Sequence, residues 1–308
     1  MEKSTPSFSA AQRRLAYTVL DVFTRRALEG NQLAVFPDAR GLSDAEMQAL
    51  AREMNLSETT FIVPREEKIE REQGVKVRIF TVAEELEFAG HPTLGTATVI
   101  HSLRSGRGAE PVVLELRAGK VPVTFTGKPG DPLPFGEMRQ RDPVAGAVHS
   151  REEVARATGL SANDFDPGLP IQTFSTGMAF AIVPLRSLEA IRSLNFSWKS
   201  VAQYAERTDA KFLYFVTRET VAADARLHAR MIFYNGEDPA TGSAAGCAAA
   251  WMVAHGVAAP EEQVMIEQGI QMKRPSQIFV RASRKGDEIH NVRVGGYAVE
   301  VARGEIFL

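Results

Sequence analysis

Alternation of apolar and polar positions marks most of the first half of the chain. Residues 16–23 alternate β-branched or aromatic side chains with polar ones, and residues 32–36 form a second apolar run between Gly30 and Pro37. Both patterns are typical of short strands bounded by turn residues. Four more strands are predicted on the same grounds, the last two as a hairpin around Ala118-Gly119: 56–63, 75–82, 112–116 and 120–125.

Helical spacing occurs in two segments of this half. Ser43 and Glu46 fit a capping box ahead of apolar residues at helical spacing, so a helix is predicted to begin at Ser43 and to end near Asn55. A second helix is predicted over residues 93–102, because Pro92 suits the first helical position.

The second half repeats these signals. Ser150 and Glu153 again fit a capping box, and Gly159 is predicted to end the short helix that they open. The segment 239–254 is almost free of charge and apolar all round, which predicts a buried helix that Gly256 stops. The strands predicted around these helices are 177–184, 211–216, 227–233, 264–267, 277–281, 292–294, 297–301 and 305–308.

Three segments lack both periodicities. Residues 1–15 are small and polar, which is typical of a flexible tail. Residues 65–74 are rich in Glu, Arg and Lys and are predicted to form a solvated hairpin turn. Residues 127–136 hold three prolines and three glycines, so they are the best linker candidate in the chain.

Two pairs of segments repeat across the halves. Residues 177–184 match residues 30–37 position for position, 147 residues further on. The motif at 237–246 repeats the x-Pro-x-x-Gly-(Ser/Thr)-Ala skeleton of the motif at 90–97 at the same separation. One shared separation in two independent segments indicates an internal duplication, with coincidence between short apolar segments as the alternative.

The separation of 147 residues places Asp238 opposite His91 and Ser243 opposite Thr96. Between the two pairs of segments the best match rises to 152 residues, which indicates insertions. We interpret the pattern as two similar domains related by a pseudo-twofold axis, since a period this long excludes a solenoid.

The predicted fold class is α+β, with two pseudo-symmetric domains, each a mixed β-sheet wrapped around one buried helix. The first domain is predicted over residues 16–130 and the second over residues 137–296, and a last strand at 297–308 is a candidate to return to the first domain. No G-x-G-x-x-G or P-loop sequence occurs, so no nucleotide cofactor is expected.

Composition narrows the class of protein. The chain has 308 residues, 44% of them hydrophobic, and a formal net charge of −2 without a Lys/Arg run, which argues against nucleic acid as a partner. No apolar run approaches the roughly 18 residues of a membrane span. The N-terminal residues lack the apolar core of a signal peptide, so we expect a cytoplasmic protein.

The single cysteine, Cys247, excludes an intrachain disulfide and fits a reducing compartment. Its place in the apolar helix predicts a buried, inert thiol rather than a nucleophile. The six histidines form no ligand-spaced pair, so no metal site is expected. A serine hydrolase is poorly supported, because no G-x-S-x-G elbow occurs.

The two repeated motifs supply the candidate chemistry. Each opens a helix whose first backbone N–H groups are unpaired, and a cleft between the halves would let both helix starts face one ligand. Backbone amides around Gly90 and His91, and around Thr241, Gly242 and Ser243, would then hold carboxylates or oxyanions.

Side chains at the same places have two interpretations each. His91 and Asp238 could meet across the cleft, or each could be an ordinary helix cap. Ser243 could contact substrate or be a small residue for close packing. Glu58, at a junction between a helix end and an apolar strand, could be functional or an exposed loop carboxylate. These groups suit proton transfer beside a carboxylate, and they leave isomerisation, epimerisation and racemisation open.

Several long motifs resemble the phenazine-biosynthesis PhzF-like isomerase family, and the resemblance covers nearly the whole chain from about residue 16. The motifs are 21–23 (DVF), 30–31 (GN), 55–61 (NLSETTF), 78–81 (RIFT), 88–95 (FAGHPTLG), 237–245 (EDPATGSAA) and parts of 268–276 (QGIQMKRPS). The resemblance implies a diaminopimelate epimerase-like fold, usually in a homodimer, and catalysis without metal or cofactor.

The family's best-known reaction is the isomerisation of dihydro-3-hydroxyanthranilate. The resemblance implies that Glu58 is the proton shuttle, and that His91, Asp238 and Ser243 hold and polarise a small carboxylate-bearing substrate. The residues assigned to substrate binding with them are Ser57, Gly90, Thr241 and Gly242.

Two departures from the family pattern border the cleft. Val82 and Glu87 replace prolines that are common in the family, and the approach to the second motif at 231–235 differs. The identity of the substrate is therefore left open. The competing hypotheses are an amino-acid-type epimerase or racemase with one base from each half, and a non-catalytic metabolite-binding protein.

Overall fold

The computed structural model describes residues 13–104, 110–127, 133–233 and 236–308. The first half contains β1 (Arg14–Val22), β2 (Asn31–Phe36), α1 (Asp44–Met54), β3 (Glu58–Val63), α2 (Glu67–Gln73), β4 (Val75–Phe80), β5 (Glu85–Leu86), α3 (Gly90–Leu103), β6 (Val112–Leu116), β7 (Gly119–Thr126) and β8 (Phe135–Arg139). The second half contains β9 (Val144–His149), α4 (Arg151–Thr158), β10 (Ile171–Ser175), β11 (Ala179–Leu185), α5 (Leu188–Arg192), α6 (Trp198–Ala205), β12 (Phe212–Thr217), β13 (Ala225–Phe233), β14 (Gly236–Asp238), α7 (Gly242–Ala254), β15 (Val264–Gln268), β16 (Ser276–Lys285), β17 (Glu288–Gly296) and β18 (Ala298–Phe307).

Strands pair in the same order and sense in both halves. In the first half β1 is antiparallel to β2, β2 parallel to β3, and β3 antiparallel to β4. Strand β4 then pairs with β5 antiparallel and with β6 parallel, and β6, β7 and β8 continue antiparallel. Strands β10 to β17 reproduce every one of these pairings. The predicted α+β fold of two pseudo-symmetric halves is confirmed.

Each half wraps its sheet around one central helix. Helix α3 makes the crossover between the parallel strands β4 and β6, and α7 makes the equivalent crossover between β13 and β15. Ten of the fourteen residues of α3 and eleven of the thirteen of α7 are buried, so both helices lie inside their halves. The small side chains of both helices allow the strands to approach closely on all sides.

The pairings correct the register of the repeat around the two motifs. Phe80 pairs with Glu85 as Ile232 pairs with Glu237, which is a separation of 152 residues before the central helices. After the helices the separation is again 152, because Val75 pairs with Leu114 as Leu227 pairs with Ile266. Both helices also begin 152 residues apart, at Gly90 and Gly242.

His91 therefore corresponds to Ser243, and the predicted match of His91 with Asp238 is wrong. The reason lies in where each helix starts relative to its proline. Pro92 is the third residue of α3, whereas Pro239 lies three residues before α7. The prediction that the second helix starts at residue 239 is also wrong, since residues 239–241 are neither helix nor strand and α7 begins at Gly242.

Two strand pairings join the halves. Strand β18 lies antiparallel to β1 over nine residue pairs, and β8 lies antiparallel to β17. The domain boundaries proposed from the sequence remain predictions. Strand β8 begins inside the proposed linker, at Phe135, and pairs with β7, which ends just before it. Residues 128–132 of that linker, residues 1–12 of the proposed tail and residues 234–235 of the second departure lie outside the described residues.

Most helix ends and strands that were predicted from neighbouring residues are present in the structure. The Ser43 capping box and the Asn55 end of α1 are present as predicted. Ser150 caps α4 by accepting from the backbone N–H of Glu153, but its hydroxyl donates to Glu152, so the box is incomplete. The two strands predicted at 297–301 and 305–308 are one strand, β18.

The prediction of a hairpin turn at residues 65–74 is wrong, because α2 occupies most of that segment. Its Glu, Lys, Arg and Gln residues are good helix formers, and Arg71 pairs with Glu67 one turn earlier at 2.8 Å. Within the described ranges no helix is long and apolar enough to cross a membrane.

Candidate active site

The starts of the two central helices touch at a pair of glycines. A Cβ atom on Gly90 would lie 2.9 Å from the Cα of Gly242, and one on Gly242 would lie 3.3 Å from the Cα of Gly90. At Gly90 only glycine permits the contact, because the clash would be with backbone atoms. Neither helix start has a side-chain cap, so unpaired backbone N–H groups of both halves converge at this junction.

Glu58 faces the same junction from the start of β3. Thr60, two residues further along the strand, hydrogen-bonds Thr96 of α3 at 2.8 Å, so Glu58 lies on the sheet face that covers α3. The Glu58 Oε2 and His91 Nε2 atoms are 3.4 Å apart. Both atoms are buried, and neither has a hydrogen-bond partner in the described structure. They are polar groups left available to a ligand.

Burial shifts the proton affinities of these two groups in opposite directions. Burial, with a contribution from the negative charge of Asp238, raises the pKa of Glu58 to about 8. Burial lowers the pKa of His91 to about 3, against a backbone group of Gln32 that raises it. At neutral pH Glu58 is therefore mostly protonated and His91 is neutral, so their contact is not an ion pair.

Asp238, at the end of β14, is held by three polar neighbours. Thr241 Oγ1 donates to its Oδ2 at 2.5 Å, Asn31 Nδ2 donates to its Oδ1 at 2.8 Å, and Gln268 Nε2 donates to its carbonyl oxygen at 2.7 Å. Burial raises the pKa of Asp238 to about 6, although the bonds from Thr241 and Asn31 oppose the shift and the charge of Glu237 adds to it. Asp238 thus titrates near neutral pH.

Asn31 joins the two halves of this cluster. Its Nδ2 atom lies 3.2 Å from His91 Nδ1, in addition to its bond to Asp238. His91 and Asp238 therefore meet through Asn31 rather than directly. The structure brings Glu58, His91, Asn31 and Asp238 into one buried polar cluster beside the helix starts.

Ser243 lies at the junction, where its backbone nitrogen would be 3.1 Å from a Cβ on Gly90, and it also faces an open space. A cavity of about 750 Å³ is lined by Ser243 together with groups that include Leu86, Phe88, Met178 and Lys211. Of the eight site residues predicted from the sequence, only Ser243 lines it. Ser243 and Leu86 are the counterparts of His91 and Asp238 at the separation of 152 residues. Met178 is the counterpart of Asn31 at the separation of 147 residues, because Leu33 pairs with Glu58 as Phe180 pairs with Phe212. The cavity thus occupies the pseudo-equivalent place to the buried cluster.

The remaining predicted residues are placed unequally. Ser57 is exposed immediately before Glu58. Thr241 is buried, and its backbone N–H already donates to Gln268 Oε1 at 3.3 Å. Gly242 accepts a bond from Gln140 Nε2 at 2.9 Å through its carbonyl oxygen. The backbone amides of Gly242 and Ser243 are the ones that α7 leaves open.

Comparison with known proteins shows the family of the chain. Residues 20–304 match the protein family described as phenazine biosynthesis-like protein. The chain belongs to the phenazine biosynthesis-like family. The family predicted from the sequence motifs is confirmed, and the match spans both halves and every residue of the candidate site.

Two similar bacterial proteins are named as isomerases. The chain is 34% identical to the trans-2,3-dihydro-3-hydroxyanthranilate isomerase of Pseudomonas chlororaphis, over 95% of this chain and 99% of that protein. It is 35% identical to an uncharacterized isomerase of Mesorhizobium japonicum, over 95% of this chain and 98% of that protein. The predicted enzyme class, isomerase, is confirmed.

A solved structure of a predicted epimerase from Pseudomonas aeruginosa has the same fold. It superposes with a TM-score of 0.81 at 35% identity, covering 95% of this chain and 99% of that one. The diaminopimelate epimerase-like fold expected for this phenazine biosynthesis-like protein is thereby confirmed.

Three residues around the site had no predicted role. Asn31 and Gln268 stand in family motifs, but only the structure shows that they contact Asp238. Gln140 supports the start of α7, and a Cβ on Gly246 would lie 1.9 Å from its Oε1 atom. The available signal was a polar residue inside a run that is otherwise buried, as Asn31 is at the start of β2.

Two further predictions concern Cys247 and metals. Cys247 is fully buried, and burial raises the pKa of its thiol to about 11, so it is an unreactive thiol as predicted. No group of three or more His, Cys, Asp or Glu side chains suited to a metal ion occurs in the part of the chain that the structure describes.

Proposed function

We propose that the enzyme isomerises a small carboxylate-bearing substrate similar to dihydro-3-hydroxyanthranilate, with Glu58 as the proton shuttle and without a cofactor. The observation that carries the proposal is the facing pair of Glu58 Oε2 and His91 Nε2, both buried and without a partner. The dihydro-3-hydroxyanthranilate isomerase of Pseudomonas chlororaphis supports the substrate class.

The environment of Glu58 suits one group that removes a proton and later returns it. Its pKa of about 8 makes the carboxylate a much stronger base than an ordinary glutamate. The same value leaves the protonated form a usable acid near neutral pH. In the proposed reaction the Glu58 carboxylate takes a proton from one carbon of the substrate, and the resulting carboxylic acid returns it to another carbon.

The other predicted residues hold the substrate in this proposal. Neutral His91 presents Nε2 to the reacting group, and Asp238 and Ser243 orient the substrate from the second half. Gly90, Thr241, Gly242 and Ser57 surround it. The uncapped starts of α3 and α7 stabilise negative charge on the substrate carboxylate or on the intermediate.

The residue that is equivalent to Glu58 in the second half favours an isomerase over a two-base epimerase. Glu58 pairs with Leu33 in the first half, as Phe212 pairs with Phe180 in the second. A phenylalanine has no proton to exchange, so the second half has no base at the equivalent place. One base that serves two carbons is the chemistry of an isomerase.

Deuterium exchange between substrate and solvent tests the proposal in wild type and in Glu58→Gln. The isosteric amide keeps the shape of the side chain and removes its acid–base function, so exchange is expected to fall by about 10³-fold. Glu53→Gln, on the exposed side of α1, is the matched control and is expected to keep full exchange. Full exchange in Glu58→Gln would contradict the shuttle.

Calorimetry on the same samples separates an enzyme from a binding protein. Tight binding of a dihydro-3-hydroxyanthranilate analogue to wild type, without any exchange, would support a non-catalytic metabolite-binding protein. Binding together with exchange that depends on Glu58 supports the isomerase.

A further inference from the structure

The orientation of the Asn31 side-chain amide is determined by its neighbours. Its Nδ2 atom lies 2.8 Å from Asp238 Oδ1 and 3.0 Å from the carbonyl oxygen of Ala240. A carbonyl oxygen can only accept, and an ionised carboxylate can only accept, so the nitrogen of the amide must face both. Asn31 is 1% exposed, so water cannot substitute for either bond.

The same nitrogen lies 3.2 Å from Nδ1 of His91. An amide nitrogen cannot accept, so a proton on Nδ1 would leave two donors facing each other, and this contact makes Nδ1 the acceptor of the neutral ring. Burial lowers the pKa of His91 to about 3 and excludes the doubly protonated form, and the backbone of Gln32 is the competing partner for a proton on Nδ1. The single ring proton is then on Nε2, the atom that faces Glu58 Oε2 at 3.4 Å.

We propose that Asn31 is a positioning residue that links the halves of the site, holding His91 in the Nε2–H tautomer while it orients Asp238. The proposal rests on the proposed function for its catalytic consequence, but not for the hydrogen bonds themselves. His91 then donates from Nε2 toward the reacting centre beside Glu58, on the first-half side. Asp238 is held on the second-half side by the same amide.

Asn31 has two N–H bonds for three acceptors within 3.2 Å, so its bond to His91 depends on its bonds to the second half. A change in the charge of Asp238 is therefore transmitted to the imidazole through one side chain. The counterpart of Asn31 is Met178, which has no hydrogen-bond donor and lines the open cavity. The link exists only on the side of the molecule that contains Glu58.

Nitrogen-15 NMR of the histidine rings tests the proposal without any substrate. The His91 resonances, identified by their loss in His91→Gln, are expected to show the proton on Nε2 in wild type. A proton on Nδ1, directed to the backbone of Gln32, would overturn the proposal. Asn31→Asp replaces the donor with an acceptor of the same shape and is expected to move the proton to Nδ1.

Asn31→Ala keeps the test valid if the Asn31→Asp variant does not fold, since Asn31→Ala only removes the donor. It is expected to abolish the preference for one tautomer, and an unchanged Nε2–H signal would contradict the role of Asn31. Met178→Ala is the matched control in the other half, and it is expected to leave the His91 signals unchanged.

Turnover distinguishes failure of this proposal from failure of the proposed function. Asn31→Ala is expected to lower kcat about 100-fold with a smaller change in KM, because misplaced catalytic groups cost about this much. An Nε2–H tautomer in a wild type that neither binds nor turns over the substrate would sink the isomerase and leave the tautomer assignment standing. Full isomerase activity with an Nδ1–H tautomer would contradict the tautomer assignment and leave the isomerase standing.

Discussion

The cluster around Glu58 and the cavity beside Ser243 occupy equivalent places in the two halves and contain different chemistry. Glu58 corresponds to Phe212 through the pairing of β3 and β12 with their neighbours. His91, Asn31 and Asp238 correspond to Ser243, Met178 and Leu86. One place therefore holds two acids, Glu58 and Asp238, whose pKa values are raised by burial. The other place is open, and hydrogen bonds lower the pKa values of Glu85 and Asp142 on its wall.

Features that set the geometry, by contrast, are the same in both halves. Arg78 forms a two-pronged ion pair with Glu85 at 2.8 and 2.7 Å, and Arg230 forms the same pair with Glu237 at 2.9 and 2.8 Å. Each pair holds the short strand that leads into the central helix. The duplicated scaffold positions residues equally, and substitutions at a few positions decide which side performs acid–base chemistry.

Substitution of the two counterparts at the strand starts should have the most unequal effect. Glu58→Gln is expected to lower proton exchange by about 10³-fold, whereas Phe212→Leu should leave exchange within a few-fold and cost about 1 kcal/mol of stability. Quenched deuterium-exchange assays measure the loss of exchange, and thermal unfolding measures the loss of stability. Equal losses of exchange in the two variants would end the functional distinction between the halves.

The pH dependence of the wild-type enzyme sharpens the same contrast. Since the Glu58 carboxylate is the proposed base and its pKa is about 8, kcat/KM should rise with pH and level off above about 8. A profile that is flat between pH 6 and 9 would contradict this assignment.

Addition of one methyl group at the junction should show how far each helix start depends on the other. Gly90→Ala places a Cβ 2.9 Å from the Cα of Gly242, so it is expected to cost about 1–3 kcal/mol. Gly242→Ala should cost less, because its nearest neighbour is the end of the Phe23 ring at 3.2 Å and the Cα of Gly90 lies at 3.3 Å. Chemical denaturation measures the loss. Gly168→Ala, whose nearest neighbour would be 3.4 Å away, is the control and should change stability little.

Burial of Glu58 should also make stability depend on pH. Its folded pKa of about 8 lies above the ordinary value of 4.5, so rising pH ionises the unfolded chain first and destabilises the fold between about pH 4.5 and 8. Glu58→Gln removes this cost, and its Tm should exceed that of wild type at pH 9 by more than at pH 4.5. An equal Tm difference at both pH values would contradict the buried, protonated state.

The smallest expected effect compares the two ion pairs. The double variant Arg230→Met/Glu237→Met removes the negative charge that helps to raise the pKa of Asp238, so that pKa should fall. Carbon-13 NMR of labelled aspartate measures it, with Asp238→Asn for assignment. Arg78→Met/Glu85→Met is the matched control. The residue that follows Glu85 is Leu86, the counterpart of Asp238, so this variant should leave the titration of Asp238 unchanged.

Sequence patterns were reliable where the cause is local. The Ser43 capping box, the αL end at Asn55 and the alternation of the strands depend on neighbouring residues, and each is present in the structure. The segment at 65–74 was misinterpreted because its charges suit either a solvated turn or a helix, and the ion pair between Glu67 and Arg71 forms only in the helix.

Candidate site residues were found in part for the same reason. Glu58, His91, Asp238 and Ser243 stand in long motifs, so the sequence alone named them. Asn31 stands in one of the family motifs, but no role was predicted for it, because its partners His91 and Asp238 lie 60 and 207 positions away in the chain. Contacts over such distances have no periodicity for a sequence to show.

The amino-acid sequence by itself determined most of the strands and helices, the duplication and the family, but it did not show β5, β8, β9, β10 or β14. Tertiary structure alone decided the register of that duplication around the central helices, since hydrogen-bond pairing on both sides of them makes Ser243, not Asp238, the counterpart of His91. It also decided which carboxyl groups titrate near neutral pH. Burial and neighbouring charge set those values, and both arise only when β3, β14 and the starts of α3 and α7 pack together.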